Sequence, residues 1–170
     1  TIQFAVTAAE TGHLVFGTVQ TVSANTTIDR IINAFPGGMQ PQVRTMLSES
    51  LKAVICQYLL KRKDAPGMIP ALEVMENNDA IGNLIRKGKT FQIPQAIMTN
   101  RESGMQLMDD DLMRLYKEGK AHAEEVYMKA SVKSEFEDII DPDGGGTDRA
   151  GAHADSASSG PETTIQNQSY

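Results

Sequence analysis

The residues with the greatest potential for chemistry in this sequence are three histidines and one cysteine. His13, His122 and His153 have no metal-ligand spacing with Cys56 or with one another. The sequence also contains no G-x-x-x-x-G-K-[ST] phosphate loop, no nucleophile elbow and no paired-cysteine zinc motif. From the residues alone, a complete active site within this chain is therefore not expected.

A polar cluster follows the apolar run from Gly12 to Thr18. The run is short, apolar at its centre and bounded by glycines, so we predict a strand buried on both faces, as in a parallel sheet. Thr18, Gln20 and Thr21 lie at or just past its carboxyl end, where open α/β sheets bind ligands. They could contact a phosphate or a reacting water, but ordinary turn formation is the simpler role. His13, at the start of the run, could equally be a buried histidine bonded to the backbone.

A second candidate is the segment DAIGNLIRKGK at residues 79–89. Its apolar residues share one helical face and its polar and basic residues lie elsewhere. We predict a helix from Asp79 to Lys87, capped by Asn77 or Asn78 and ended by Gly88. The segment could dock an acidic or polar partner, or it could simply be an amphipathic helix with a favourable cationic end.

The remaining elements follow from apolar periodicity and from turn residues. The run 90–99 stays ambiguous, with Pro94 suited only to a first helical turn. Asn25 or Thr26 could cap the helix at 27–35, and Pro70 makes the strand at 68–75 either an edge strand or irregular. Ile69, Ala71, Glu73 and Met75 would share one side of that strand. The predicted elements are helices at 27–35, 43–60, 103–118 and 121–130 and a strand at 68–75.

This order of elements predicts an α/β fold followed by a small helical bundle. The opening strand needs sheet neighbours, and too few strands are present to supply them. We expect three parts, at residues 1–76, 77–139 and 140–170. The last is rich in Gly, Ser, Ala, Thr and Asp, so we predict a disordered tail.

The composition narrows the classes of function. The net charge of −6 argues against nucleic-acid binding, which usually requires a basic surface. No apolar run approaches the roughly 20 residues of a membrane span, and no signal peptide is visible. The chain begins at Thr1 rather than Met, which we interpret as a fragment of a longer protein.

Several segments, in this order, resemble the type IV pilus retraction ATPases, the PilT-like branch of the secretion motor ATPases. They cover roughly residues 1–139, and the ordered set is more specific than any one piece. The connection at 61–67 has no paired-cysteine zinc module, which favours the retraction branch. The matching segments are AAETGHLVFGT at 8–18, TIDRII at 27–32, VRTMLSESL at 43–51, AIGNLIR at 80–86 and GMQ at 104–106.

The resemblance implies the C-terminal part of a RecA-like P-loop NTPase domain with a helical domain after it. It also implies a homo-hexameric ring that hydrolyses ATP to power pilus retraction and twitching motility. The ring would be cytoplasmic, peripheral at the inner-membrane face, and would act on the inner-membrane pilus platform protein without nucleic acid. ATP and Mg²⁺ would be held mainly by residues upstream of Thr1, so this fragment alone is expected to be inactive.

The resemblance also assigns candidate site residues. His13 matches the family's first histidine, and Gln20 replaces the second, which senses the γ-phosphate; Thr18 would contact the nucleotide. Glutamine can donate a hydrogen bond but cannot carry charge, so a non-catalytic or auxiliary ring subunit is the alternative function.

The retraction motif A-I-R-N-L-I-R-E corresponds here to Ala80, Ile81, Gly82, Asn83, Leu84, Ile85, Arg86 and Lys87. Gly82 stands in place of the first Arg and Lys87 in place of the Glu. Gly82 is expected to loosen the helix by roughly 1 kcal/mol relative to Ala.

Overall fold

The computed structural model describes residues 1–140, which form helices around one antiparallel β-hairpin. Short 3₁₀ turns precede several of the helices. In chain order the elements are α1 (Ile2–Glu10), α2 (Ala24–Asn33), α3 (Gln40–Ser50), β1 (Ala53–Lys61), β2 (Met68–Glu76), α4 (Asp79–Arg86), α5 (Ile93–Thr99), α6 (Met108–Lys117), α7 (Ala123–Lys129) and α8 (Glu137–Ile140).

The hairpin pairs β1 with β2 from Ala53 opposite Glu76 to Lys61 opposite Met68. Gly67 has φ +110° in the connection, a conformation that glycine adopts without strain. The predicted strand at 68–75 is confirmed. So is its predicted inner side, because Ala71, Glu73 and Met75 are buried.

The single helix predicted at 43–60 is wrong. Helix α3 ends at Ser50, and strand β1 begins at Ala53. Ile55 and Leu59, which would lie on the apolar stripe of a helix, are 66% and 52% exposed. Side chains of this segment alternate in burial because they belong to a strand.

The predicted strand at Gly12–Thr18 is also wrong for the described residues. Leu14 is 79% exposed and Phe16 is 88% exposed, so neither is buried on a sheet. A strand needs neighbours for its backbone hydrogen bonds, and the hairpin is the only sheet within residues 1–140. Residues 13–20 have no regular secondary structure.

The other helices agree with the sequence in type but not in every boundary. Helix α2 begins earlier than predicted and is preceded by Ser23 rather than capped by Asn25 or Thr26. Helix α6 begins at Met108, not Ser103, because Gly104 turns the chain with φ +90° and Gln106 pairs with Val74. The ambiguous run 90–99 contains α5, with Pro94 in its first turn. No pattern in the sequence predicts α1.

A mainly aliphatic core joins the helices to the inner side of the hairpin. Ile28, Leu60, Ile81 and Leu112 are fully buried in one cluster that draws on both predicted parts, 1–76 and 77–139. That division therefore remains a prediction. The predicted disordered tail, apart from Ile140, lies outside the described residues. Within residues 1–140, no helix has both the length and the hydropathy to cross a membrane.

Candidate functional site

The loop that carries Gln20 is fixed to the first turns of α2. Arg30 donates from Nη1 to the backbone oxygen of Gln20 at 2.7 Å. The hydroxyls of Thr21 and Thr27 lie 2.6 Å apart, and Thr27 also donates to the Ser23 carbonyl at 2.8 Å. The Gln20 residue is exposed. Its backbone is thus anchored while its side chain remains accessible to a ligand.

His13 lies at the end of α1 and not in a buried strand. Its backbone N–H donates to the Ala8 carbonyl at 3.1 Å, and the N–H of Gly12 donates to Ala9 at 3.0 Å. With Gly12 at φ +89°, these two bonds form a Schellman cap. The His13 ring is exposed, with Nδ1 3.0 Å from the Thr11 hydroxyl. The interpretation of His13 as a buried strand residue is therefore wrong.

Glu73 is the most polar group on the inner side of the hairpin, and no role for it is apparent from the sequence pattern. Only 6% of Glu73 is exposed. Its Oε1 accepts the Ala24 N–H at 2.6 Å, and its Oε2 accepts the Met108 N–H at 3.3 Å. These amides begin α2 and α6, where helix dipoles favour a negative charge. An acidic residue on the apolar side of a predicted strand was the signal available in the sequence.

Burial raises the pKa of two titratable groups, Glu73 and Cys56, that face each other across the hairpin. Burial raises the pKa of Glu73 above its usual 4.5, the hydrogen bonds from Ala24 and Met108 lower it in part, and the nearby charge of Asp109 raises it. Burial likewise raises the pKa of the Cys56 thiol. A buried thiol with a raised pKa is a poor nucleophile, so Cys56 has a packing role.

The segment that resembles the retraction motif, residues 80–87, lies on α4 and its C-cap Lys87, so the helix predicted there is confirmed. Asn78 caps the helix by accepting the Ile81 N–H at 3.0 Å. Ile81 and Ile85 are fully buried, whereas Asn83, Arg86 and Lys87 are exposed. Ala80 is also exposed, and Leu84 is half-buried against the core. The motif thus presents polar and basic groups on a helix that the core holds in place.

The junction between α3 and α4 depends on close backbone packing. Asn77 donates from Nδ2 to the carbonyls of Ser48 and Leu51 at 3.1 and 2.9 Å, which satisfies the end of α3. A Cβ atom placed on Gly82 would lie 2.9 Å from the Ser48 backbone oxygen. This packing therefore requires a glycine at position 82. The sequence pattern predicts only that Gly82 loosens the helix, and it does not predict this packing role.

Arg86 connects the motif to α3. Its Nη2 donates to the Ser48 hydroxyl at 3.0 Å and lies 3.8 Å from a carboxylate oxygen of Glu49. A pocket of about 490 Å³ opens beside these residues and also includes Lys52 and Asp79. Because the Arg86 side chain is 48% exposed, part of its guanidinium remains free for a partner.

The two groups of predicted site residues lie on different elements. Gln20 is held by α2, whereas α4 packs mainly on α3 and α5. Thr18 is exposed in the irregular segment between α1 and α2. Within residues 1–140, no three His, Cys, Asp or Glu side chains form a group that could hold a metal ion.

Comparison with known proteins identifies relatives of this chain. Over 119 residues it is 51% identical to the twitching motility protein of Neisseria gonorrhoeae, covering 70% of this chain and 32% of that protein. Over 136 residues it is 47% identical to the type IV pilus retraction ATPase PilT of Pseudomonas aeruginosa, covering 80% and 39% of the two chains.

The fold has a counterpart among solved structures. The structure of the pilus retraction motor PilT with bound ADP matches with a TM-score of 0.70 and 38% identity, covering 79% of this chain and 37% of that one. The chain thus spans 32% to 39% of the length of these relatives. Its mixed helices and strands correspond to part of the PilT ATPase fold.

The match at the level of the family extends over most of the sequence. Residues 1–135 fit the profile of the family described as type II/IV secretion system protein. The matched range includes the Gln20 loop, Glu73 and all of α4. This chain belongs to the type II/IV secretion system protein family.

Proposed function

We propose that this chain is part of a hexameric ATP-driven motor that powers type IV pilus retraction. The observation that carries the proposal is the packing of α4, whose apolar face is buried in the core while its polar face is exposed. A helix that transmits force to a partner needs both features, because the core must resist displacement while the exposed groups make contact.

Of the nucleotide, the described residues would contact only the terminal phosphate. Thr18 and Gln20 are exposed and can donate hydrogen bonds to an anion. The sequence contains no phosphate loop, so residues outside this chain would hold the β-phosphate and Mg²⁺. ATP would supply the chemical energy, and the chain's own contribution would be to sense the γ-phosphate and relay its presence.

The partners and location follow from the same proposal. Copies of the complete protein would form a homo-hexameric ring at the cytoplasmic side of the inner membrane. The exposed polar side of α4 would act on the pilus platform protein, with Arg86 and Lys87 favouring an acidic surface there. The acidic net charge of −6 does not favour nucleic acid as a partner.

Changing Arg86→Ala in the full-length protein tests this function. We expect twitching motility to be lost while ATP hydrolysis is retained, because the substitution removes an exposed cation on α4, whereas the Gln20 loop is held by α2. Ser48→Ala is the matched control, since it removes the hydroxyl that Arg86 bonds but leaves the guanidinium. Normal motility in Arg86→Ala, or equal loss in both variants, would remove the proposed contact role of Arg86.

A non-catalytic ring subunit is the second candidate, and Gln20 is the observation behind it. The named relatives do not favour it, since one is called a retraction ATPase. Gln20→His in the full-length protein distinguishes the two through the rate of ATP hydrolysis. A measurable rate before the change, and a higher rate after it, would indicate a motor with a tuned sensor. An absence of hydrolysis in both forms would favour the subunit without catalysis.

A further inference from the structure

We propose that Glu73 is a positioning residue that couples the Gln20 loop to helix α6, so that movement of one helix start is transmitted to the other. The link between two helices through one carboxylate is a property of the described residues themselves. The part of the proposal that concerns nucleotide rests on the function proposed above.

The geometry gives each carboxylate oxygen a separate task. Oε1 binds the first amide of α2 at 2.6 Å, and Oε2 binds the first amide of α6 at 3.3 Å. The partners lie 49 residues before and 35 residues after Glu73 in the sequence. A rigid carboxylate therefore fixes the distance between two helix ends that no covalent connection places side by side.

The α2 end of this link is also the end that holds the Gln20 loop. Ala24 begins α2 directly after Ser23, and the Thr21 hydroxyl meets Thr27 in the first turn of the same helix. Arg30 binds the Gln20 carbonyl from the next turn. A displacement of the loop by a bound phosphate would therefore move the Ala24 amide.

The α6 end is held near the same strand by independent contacts. Asp111 of α6 accepts the Leu72 N–H at 2.9 Å, and Gln106 exchanges two backbone hydrogen bonds with Val74. Helix α6 would therefore stay docked when Glu73 is changed, and the protein should still fold. What a change at Glu73 removes is the common attachment of α2 and α6.

Burial makes the link effective. With 6% of Glu73 exposed, little water can replace either hydrogen bond. Bonds from N–H groups to a carboxylate are stronger than bonds between neutral groups, and an unpaired buried donor is costly. Separating either helix start from Glu73 would therefore leave a buried N–H group unpaired, which is costly in free energy.

The first test uses this chain without nucleotide and measures amide hydrogen exchange at Ala24 and Met108. Glu73→Gln offers one acceptor oxygen and places an NH₂ group against the other amide, so at least one bond must be lost. We expect exchange at one or both amides to accelerate by at least about tenfold, as loss of a bond to a charged group implies. Glu76→Gln, an exposed change on the same strand, is the matched control.

The second test uses the full-length protein and a non-hydrolysable ATP analogue. In the unchanged protein and in Glu76→Gln, we expect the analogue to alter exchange at Met108. In Glu73→Gln and in the shorter Glu73→Asp, we expect analogue binding to persist while this response at Met108 is lost. A merely structural role would alter stability but would leave the response to nucleotide in place.

The outcomes separate this inference from the proposed function. Unchanged exchange at both amides in Glu73→Gln overturns the link, as does a Met108 response in that variant equal to that of the unchanged protein. If the unchanged full-length protein neither binds the analogue nor hydrolyses ATP, the proposed function fails. The link between α2 and α6 is then decided by the first test alone.

Discussion

Gly82 has two opposing effects at the scale of a single residue. Within an isolated helix a glycine costs roughly 1 kcal/mol relative to alanine, which would argue for replacing it. In α4 its missing Cβ lets the helix approach the carbonyl end of α3, where Ser48 O would lie 2.9 Å from an added methyl. Because backbone carbonyls shift only with their helix, we expect packing to outweigh propensity.

The change Gly82→Ala therefore destabilises the chain, by about 1 to 3 kcal/mol, the usual range for overpacking. Chemical denaturation monitored by circular dichroism measures this free energy of unfolding. Gly38→Ala is the control, because an added Cβ there has no neighbour within 4 Å. A gain in stability for Gly82→Ala would mean that α4 moves away from α3 without cost.

Glu73 also predicts a pH dependence with a definite sign. Because burial raises its folded pKa above the usual 4.5, the folded state holds the proton more tightly than the unfolded state. The stabilisation from this proton is complete below pH 4.5 and is lost as pH rises through the folded pKa. We expect the unchanged protein to gain stability relative to Glu73→Gln as pH falls through this window. Denaturation curves of both proteins across pH 4 to 8 measure the difference in their free energies of unfolding. An advantage of the unchanged protein that stays constant, or that grows as pH rises, contradicts this prediction.

Residue patterns explain why some of the site could be read from the sequence and some could not. The cap at Asn78 and the buried face of Ile81 and Ile85 depend on neighbours within one or two helical turns, so spacing predicts them. The side of β2 that carries Glu73 was also predictable from alternation. Its hydrogen bonds were not, because the donors lie 49 and 35 residues away.

At the scale of elements, the segment 43–60 shows how an apolar period can mislead. The helical stripe continues by coincidence past Ser50, where β-branched and aromatic residues such as Val54, Ile55 and Tyr58 favour a strand. A distant contact completes the end of α3, since the Asn77 side chain binds the carbonyl of Ser48 in its last turn and that of the C-cap residue Leu51. The α/β fold class could be predicted from the sequence. The boundary between helix and strand within 43–60 could not, because it depends on tertiary structure.

Helix α4 gives a prediction at this same scale. Asn78→Ala removes the side-chain acceptor of the Ile81 N–H and should cost about 0.5 to 2 kcal/mol of unfolding free energy. Asn78 also donates to Asn100 at 3.3 Å, so Asn78→Ser is the control that keeps a capping oxygen but loses that second bond. Thermal and chemical denaturation compare the two variants. Equal losses would assign the effect to Asn100 and not to the cap.

At the scale of the whole molecule, the sequence and the structure disagree most at Leu14 and Phe16. Their pattern predicts a strand buried on both faces, yet they are 79% and 88% exposed. The relatives are between two and a half and about three times as long as their match to this chain, which covers 32% to 39% of each. The two findings agree if residues outside this chain supply the neighbouring strands in the complete protein.

This explanation predicts that the double change Leu14→Ser and Phe16→Ser has different effects in two settings. In this chain the unfolding free energy should change by no more than about 0.5 kcal/mol, because exposed side chains lose little. In the full-length protein each change should cost about 1.5 to 3 kcal/mol, the value of burying a large apolar side chain. Ile28→Ser, at a fully buried position, is the control that should destabilise both proteins. Equal small effects in both settings would mean that the segment stays exposed in the complete protein. The Gln20 loop would then follow an unpaired, exposed segment and not a strand of a sheet. Its proposed contact with the γ-phosphate would lose its structural basis.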